Sequence, residues 1–397
     1  MSLHVLFRAA LWLSAASFVA MPLYASAPEA DSKAAAQAPA QTAKQEVVDA
    51  DDETPDDPIV QARTRELLRA HDTAMLQELI ASSHPRNWAL AAVLIATADA
   101  TPELSKQIAR AAAAAPDDVV VQWIALLRGN APAQARALKA LKILEPDNAA
   151  VWLQTLNRAS PSDSAAVDAA LAHIVSSPHF DDHLDDFARA LIEVYERYPW
   201  PEEVYAQQAA QAKGLSPAAM RRSVPYLMAW AATVTLLPSY SPLMKLCRID
   251  PVKGADAGRA EGCAATGRLL SRRGGTRIAE VIGFGVLRVS HTFNAEDQQR
   301  ARDSDWLWEQ KAAMAVEPMT METQADDALT ELKDRLVMRS ETDAVRHTLE
   351  RAGMKLTPPA DWVDKGSPFS EERLRADAAR ESAVPSKTAA SGSSPPR

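Results

Sequence analysis

Glycine is scarce in this chain, with 13 in 397 residues, and no run of alternating β-branched residues stands out. Strand-rich folds draw on both, for their turns and for their pleated surfaces, so the sequence argues against a sheet. The phosphate-cradling GK[ST] phrase is missing, as are the G-x-S-x-G elbow and the zinc-protease H-E-x-x-H. Gly283-Phe284-Gly285 has no third glycine and no strand before it, which excludes a dinucleotide fingerprint. No cofactor is expected. Positive charge is also short: the formal net charge is −9 and the sequence pI about 5.5. A surface this acidic does not draw in phosphate backbones, so nucleic acid is not an expected partner.

Long apolar runs are confined to the N-terminus. His4 and Arg8 lie in a short polar start, Ala9 to Met21 is apolar, and Ala25-Ser26-Ala27 offers small residues for cleavage. Residues 1–27 are therefore read as a signal peptide, with an uncleaved membrane anchor as the other reading. Val224 to Leu237, the next apolar stretch, is too short to span a bilayer and contains Pro225. A periplasmic or secreted bacterial protein is expected. The membrane would be touched only through an uncleaved N-terminal segment. Residues 28–57, rich in alanine, glutamine and proline and then acidic in EVVDADDETPDDP, have no apolar face and read as a disordered tether. Residues 380–397, which include KTAASGSSPPR, read as a disordered tail.

What is abundant is alanine, the strongest helix former and a residue of small volume, which favours closely packed helices. Helix starts are frequent. Asp57-Pro58, Thr101-Pro102 and Ser216-Pro217 each pair a cap with proline in the first turn. Asp72, Asp117, Asp147 and Asp163 are further candidate caps. The prolines that end helices recur at 85, 116, 146 and 178, spaced by 31, 30 and 32 residues. After them come PRNWAL, PDDVVVQWIAL, PDNAAVWLQTL and PHFDDHLDDF, with Trp88, Trp123 and Trp152 in the first three. Second helices fall between, near 102–115, 131–144 and 163–176. This is a repeat of helical hairpins.

Over about residues 72–198 the sequence resembles the tetratricopeptide family. That repeat ends in proline, with an aromatic residue six positions on in the next helix, as in Pro146 to Trp152. Here the period is shorter than about 34 residues, and the glycine and tyrosine expected after the tryptophan are missing. The resemblance implies an all-α fold: a helical-hairpin solenoid, a tetratricopeptide-like superhelix, over residues 58–238. A helical C-terminal portion would follow over 239–379. It also implies a concave groove for a protein or peptide partner. The family's ligand-facing position, five residues after the tryptophan, falls on Arg128 and Asn157, and on Val93 after Trp88.

Several side chains invite chemistry. Cys247 and Cys263, an even number in an exported chain, suggest a disulfide, with two buried thiols as the alternative. His179 and His183 in HFDDHLDD are four apart, so on a helix they would share a face beside carboxylates. A weak metal candidate stands there against a simple acidic first turn. Ser271-Arg272-Arg273-Gly274-Gly275-Thr276-Arg277 is the main basic cluster and reads as a helix ending. Trp88, Trp123 and Trp152 read as core. Trp306 and Trp308, two apart on a helix, point in different directions, and one of them is expected at the surface as a contact residue. The function expected is a binding scaffold of the cell envelope. Its rivals are a cell-wall hydrolase or lyase with its acid in the C-terminal portion, and a structural assembly subunit.

Overall fold

The computed structural model describes residues 58–96, 102–160, 163–212, 214–249, 257–314 and 320–362. The expected signal segment, tether and tail lie outside these residues, as do Asp57 and Thr101. The fold is all-α, with no strand among the described residues. The chain opens with α1 (Pro58–Ala81), α2 (Pro85–Ala96), α3 (Pro102–Ala114), α4 (Val119–Arg128), α5 (Ala131–Leu144), α6 (Ala149–Arg158) and α7 (Ser164–Ser176). It continues with α8 (Leu184–Arg197), α9 (Glu202–Gln211), α10 (Pro217–Thr233) and a 3-10 turn, Val234–Leu236. The last six are α11 (Ser241–Cys247), α12 (Ala257–Arg273), α13 (Arg277–Val289), α14 (Ala295–Met314), α15 (Met321–Met338) and α16 (Glu341–Arg351). No described helix is long and apolar enough to cross a membrane.

Side-chain caps set most of these starts. Asp163, Ser216, Thr276 and Ser340 each accept the amide three residues on, satisfying one of the donors a helix leaves open. Two caps sit one residue later than expected. The cap of α4 is Asp118, which accepts from Val121 N at 3.2 Å, and that of α6 is Asn148, which accepts from Ala150 N at 3.0 Å. In each case a turn after the proline occupies one residue more, so the second polar side chain, not Asp117 or Asp147, meets the helix. Asp72 caps nothing, because α1 runs through it without a break.

Successive helices pair as hairpins: α2 with α3, α4 with α5, and α6 with α7. The first two lie side by side, α2 on α4 and α3 on α5. Alanine makes the close approach possible. Ala89, Ala91, Ala111, Ala125, Ala137 and Ala149 are fully buried between the helices, with Trp123, Ile124, Leu141 and Leu153 filling the space between. After α7 the pattern changes. The neighbour of α7 is α12, which pairs with α13, while α8 packs on α10 and α15 crosses both α8 and α10. Leu243, Cys247, Cys263, Leu270, Ala279 and Val286 belong to the same apolar core as the hairpins, so the core continues past residue 238. Cys247 and Cys263 are bonded, with Cα atoms 5.6 Å apart and both sulfurs buried, so the pair is not two free thiols.

Candidate functional site

Arg128 and Asn157 end adjacent first helices, α4 and α6. Arg128 donates to the main-chain carbonyl of Thr235, and Asn157 Nδ2 donates to that of Ser239 at 2.7 Å. The stretch 234–240, which links α10 to α11, thus lies across the hairpins as a strap. Val93, the matching position in α2, is buried in the core. Trp306 and Trp308 are both buried, at 8% and 9% exposure, so the expectation of a surface tryptophan is overturned. Trp306 donates to the Lys355 carbonyl at 2.8 Å and meets Trp362 edge-on, while Trp308 packs with Val345 and Leu349 of α16. A later helix covers the second face, which helical phase alone does not reveal.

His179 and His183 do not share a helix face. The segment after Pro178 stays non-helical up to His183, which caps α8 with a left-handed backbone at φ 58°. The previous turn holds this one in place. Asn148 accepts Asp181 N at 3.0 Å and donates to Asp181 O at 2.8 Å, and Ala149 N donates to His179 O at 2.9 Å. Asp181 Oδ1 then accepts the His183 amide at 2.8 Å, closing the turn that forces the left-handed residue. Trp152, part-buried, stacks on His173 in the next helix, while Trp123 is fully buried.

The imidazole of His183 lies between two carboxylates, with Nδ1 2.8 Å from Asp186 Oδ2 and Nε2 2.7 Å from Glu145 Oε1. Burial opposes its charge, but the hydrogen bonds to Asp186 and Glu145 outweigh that and raise it to about 10. It is an imidazolium at neutral pH. The bond to His183 draws the Asp186 carboxyl down to about 2, against its burial and with help from Arg339. Glu145 also accepts Trp123 Nε1–H at 2.9 Å, and its carboxyl is lowered although burial works the other way. Arg335 of α15 and Arg339, which follows the last residue of that helix, complete the cluster. Arg339 donates to Asp181 at 2.8 Å and Asp186 at 3.0 Å, and the buried Arg335 contacts Asp185 at 3.1 Å and Glu341 at 3.0 Å.

Asp181, His183 and Asp186 bring ligand-type atoms within 4.8 Å of one another, a spacing a metal ion could use. Two features work against that use. Both nitrogens of His183 point at carboxylates and carry protons, and Arg339 already sets a positive charge on Asp181 and Asp186. His179 is not part of the group. A charged imidazole is also no general base. In the C-terminal portion, burial raises the Glu331 carboxyl, which pairs with Lys311.

Beside His183 an open cleft of about 520 Å³ is walled by Arg86, Asp117, Asp118, Asp186, Ala115, Val119 and Val120. It lies where the turn before α4 meets the turn before α8. Sequence reasoning singled out His183 and the carboxylates of its acidic phrase but missed Glu145, Arg335 and Arg339. The available signal was the pair of arginines at the end of α15. Comparison with protein-family models, with curated proteins and with solved structures finds no match.

Proposed function

We propose that the chain is a protein- or peptide-binding scaffold, exported to the bacterial cell envelope, whose partner docks at the open cleft beside His183. The cleft itself supports this reading. Asp117, which forms no ion pair among the described residues, offers negative charge next to the apolar Ala115, Val119 and Val120, while Asp118 and Asp186 are already paired with Arg86 and with His183 and Arg339. That combination suits a basic side chain flanked by an apolar one on a partner protein. The expected groove position is taken, because Arg128 and Asn157 hold the chain's own carbonyls. The export reading rests on residues 1–27.

A photo-crosslinking residue placed at Ala115 in cells, compared with one at Asn157, tests the site. A partner captured from Ala115, and lost when Asp117→Lys is added, supports the reading. Capture only from Asn157, or from neither position, rejects it.

A further inference from the structure

A second cavity, of about 190 Å³, lies on the other side of the His183 turn. Its wall carries three aspartates, Asp181, Asp182 and Asp185, and three arginines, Arg273, Arg335 and Arg339. Four of the six are matched: Arg335 with Asp185 and Arg339 with Asp181. Asp182 and Arg273 are left over. Asp182 is only 7% exposed; its Oδ1 takes the Leu184 amide at 3.4 Å, and its Oδ2 has no hydrogen-bond partner. An unpartnered buried carboxylate oxygen is costly and calls for a donor. Arg273 donates to the Pro178 carbonyl and forms no ion pair among the described residues.

The wall beside Arg273 is bare backbone. Gly275 has φ +69°, and a Cβ on Gly274 would stand 2.4 Å from that of Ala279. Thr276 caps α13 there and Arg277 N already donates to Glu341 Oε2 at 2.7 Å, so Arg273 is the group on this wall left to meet an anion. Phe180 and Leu184 add apolar surface. A lone cation would satisfy Asp182 and leave the exposed Arg273 to solvent, whereas a lone anion would leave the buried Asp182 oxygen without a donor. A ligand with both charges matches both. The volume is about that of six water molecules, which suits a molecule of fewer than ten heavy atoms.

We propose that this cavity binds a free α-amino acid, its ammonium on Asp182 and its carboxylate on Arg273 beside the start of α13. Burial raises the Asp182 carboxyl to about 7, with the Leu184 amide and Arg335 opposing the rise and Asp181 and Asp185 adding to it. A ligand ammonium supplies the positive charge that Asp182 lacks. The site does not depend on the scaffold reading.

Titration calorimetry of the wild-type protein with individual small neutral amino acids is the test. At least one should bind with Kd between about 1 μM and 1 mM. Its carboxamide and its N-acetyl derivative should each bind at least about tenfold more weakly, a loss of about 1.4 kcal/mol. Asp182→Asn and Arg273→Gln should each weaken the same amino acid by a similar factor. The proposal is overturned if no amino acid gives a binding signal at about 10 mM. It is equally overturned if the derivatives bind as tightly as the parent, a result that needs no variant to fold.

Discussion

The hairpins α2–α7 and the helices that follow them are both all-α, yet they place their charges differently. In the hairpins the ion pairs are at the surface: Lys106 with Glu103, and Arg86, 52% exposed, with Asp118. Burial there belongs to alanine, leucine and tryptophan. Past α7 exposed pairs persist, such as Arg221 with Glu202 and Arg222 with Asp326, but others move inside. Arg335, 5% exposed, reaches Asp185; Arg277 reaches Glu280 and Asp305; Arg268 meets the buried Asp297. An exposed pair is screened by water and contributes little. A buried pair is costly to form and more costly to break, because the surviving partner stays buried and unpaired. The first region is therefore held by shape, and the second by matched charge.

Removing a buried charge should give the largest effect. Arg335→Ala removes the cation that contacts both Asp185 and Glu341 and takes the guanidinium from the face of Trp230, 3.9 Å from its ring centroid. A loss of about 3 to 5 kcal/mol is expected in urea unfolding. Next is the paired change Cys247→Ser with Cys263→Ser. By loop closure over a separation of 16 residues, it should cost about 3 kcal/mol, again by urea titration.

The third prediction concerns pH, at the seam between the regions. His183 is raised from 6.5 to about 10, so the folded state holds a proton that the unfolded chain releases first. Its contribution is complete below pH 6.5 and is lost as pH rises through about 10. His183→Gln should therefore destabilise the protein at pH 6, and the gap to wild type should shrink as pH rises through about 10, read from thermal midpoints. The smallest effect belongs to the hairpins: Arg86→Ala should cost less than about 1 kcal/mol in the same urea assay. If it matched Arg335→Ala, the contrast between the two regions would be wrong.

The helices were legible in the sequence because their signals are local. Proline spacing placed the hairpins, Ser216, Thr276 and Ser340 marked starts, and the cysteine pair closed as read. The misplaced caps at Asp117 and Asp147 came from turns whose length depends on backbone geometry that residue type does not specify. The charged cluster was hidden for another reason. Asp185 and Arg335 are 150 residues apart, and no local period links them. The same holds for the strap: Arg128 and Asn157 were placed on one face, but nothing near them announces Thr235 or Ser239. His183 reads as a helical residue only if helical phase begins right after Pro178, whereas the helix starts at Leu184.

The strap sets an order of events. The hairpins are built from contacts between neighbours in the chain, the kind that form fastest, whereas the strap reaches back 107 residues from Thr235 to Arg128. A chain made from its N-terminus presents the residues of the hairpins before those of the strap. During that interval Arg128 and Asn157 are donors without acceptors, open to any extended peptide nearby. Closing the strap gives both donors the chain's own carbonyls as acceptors.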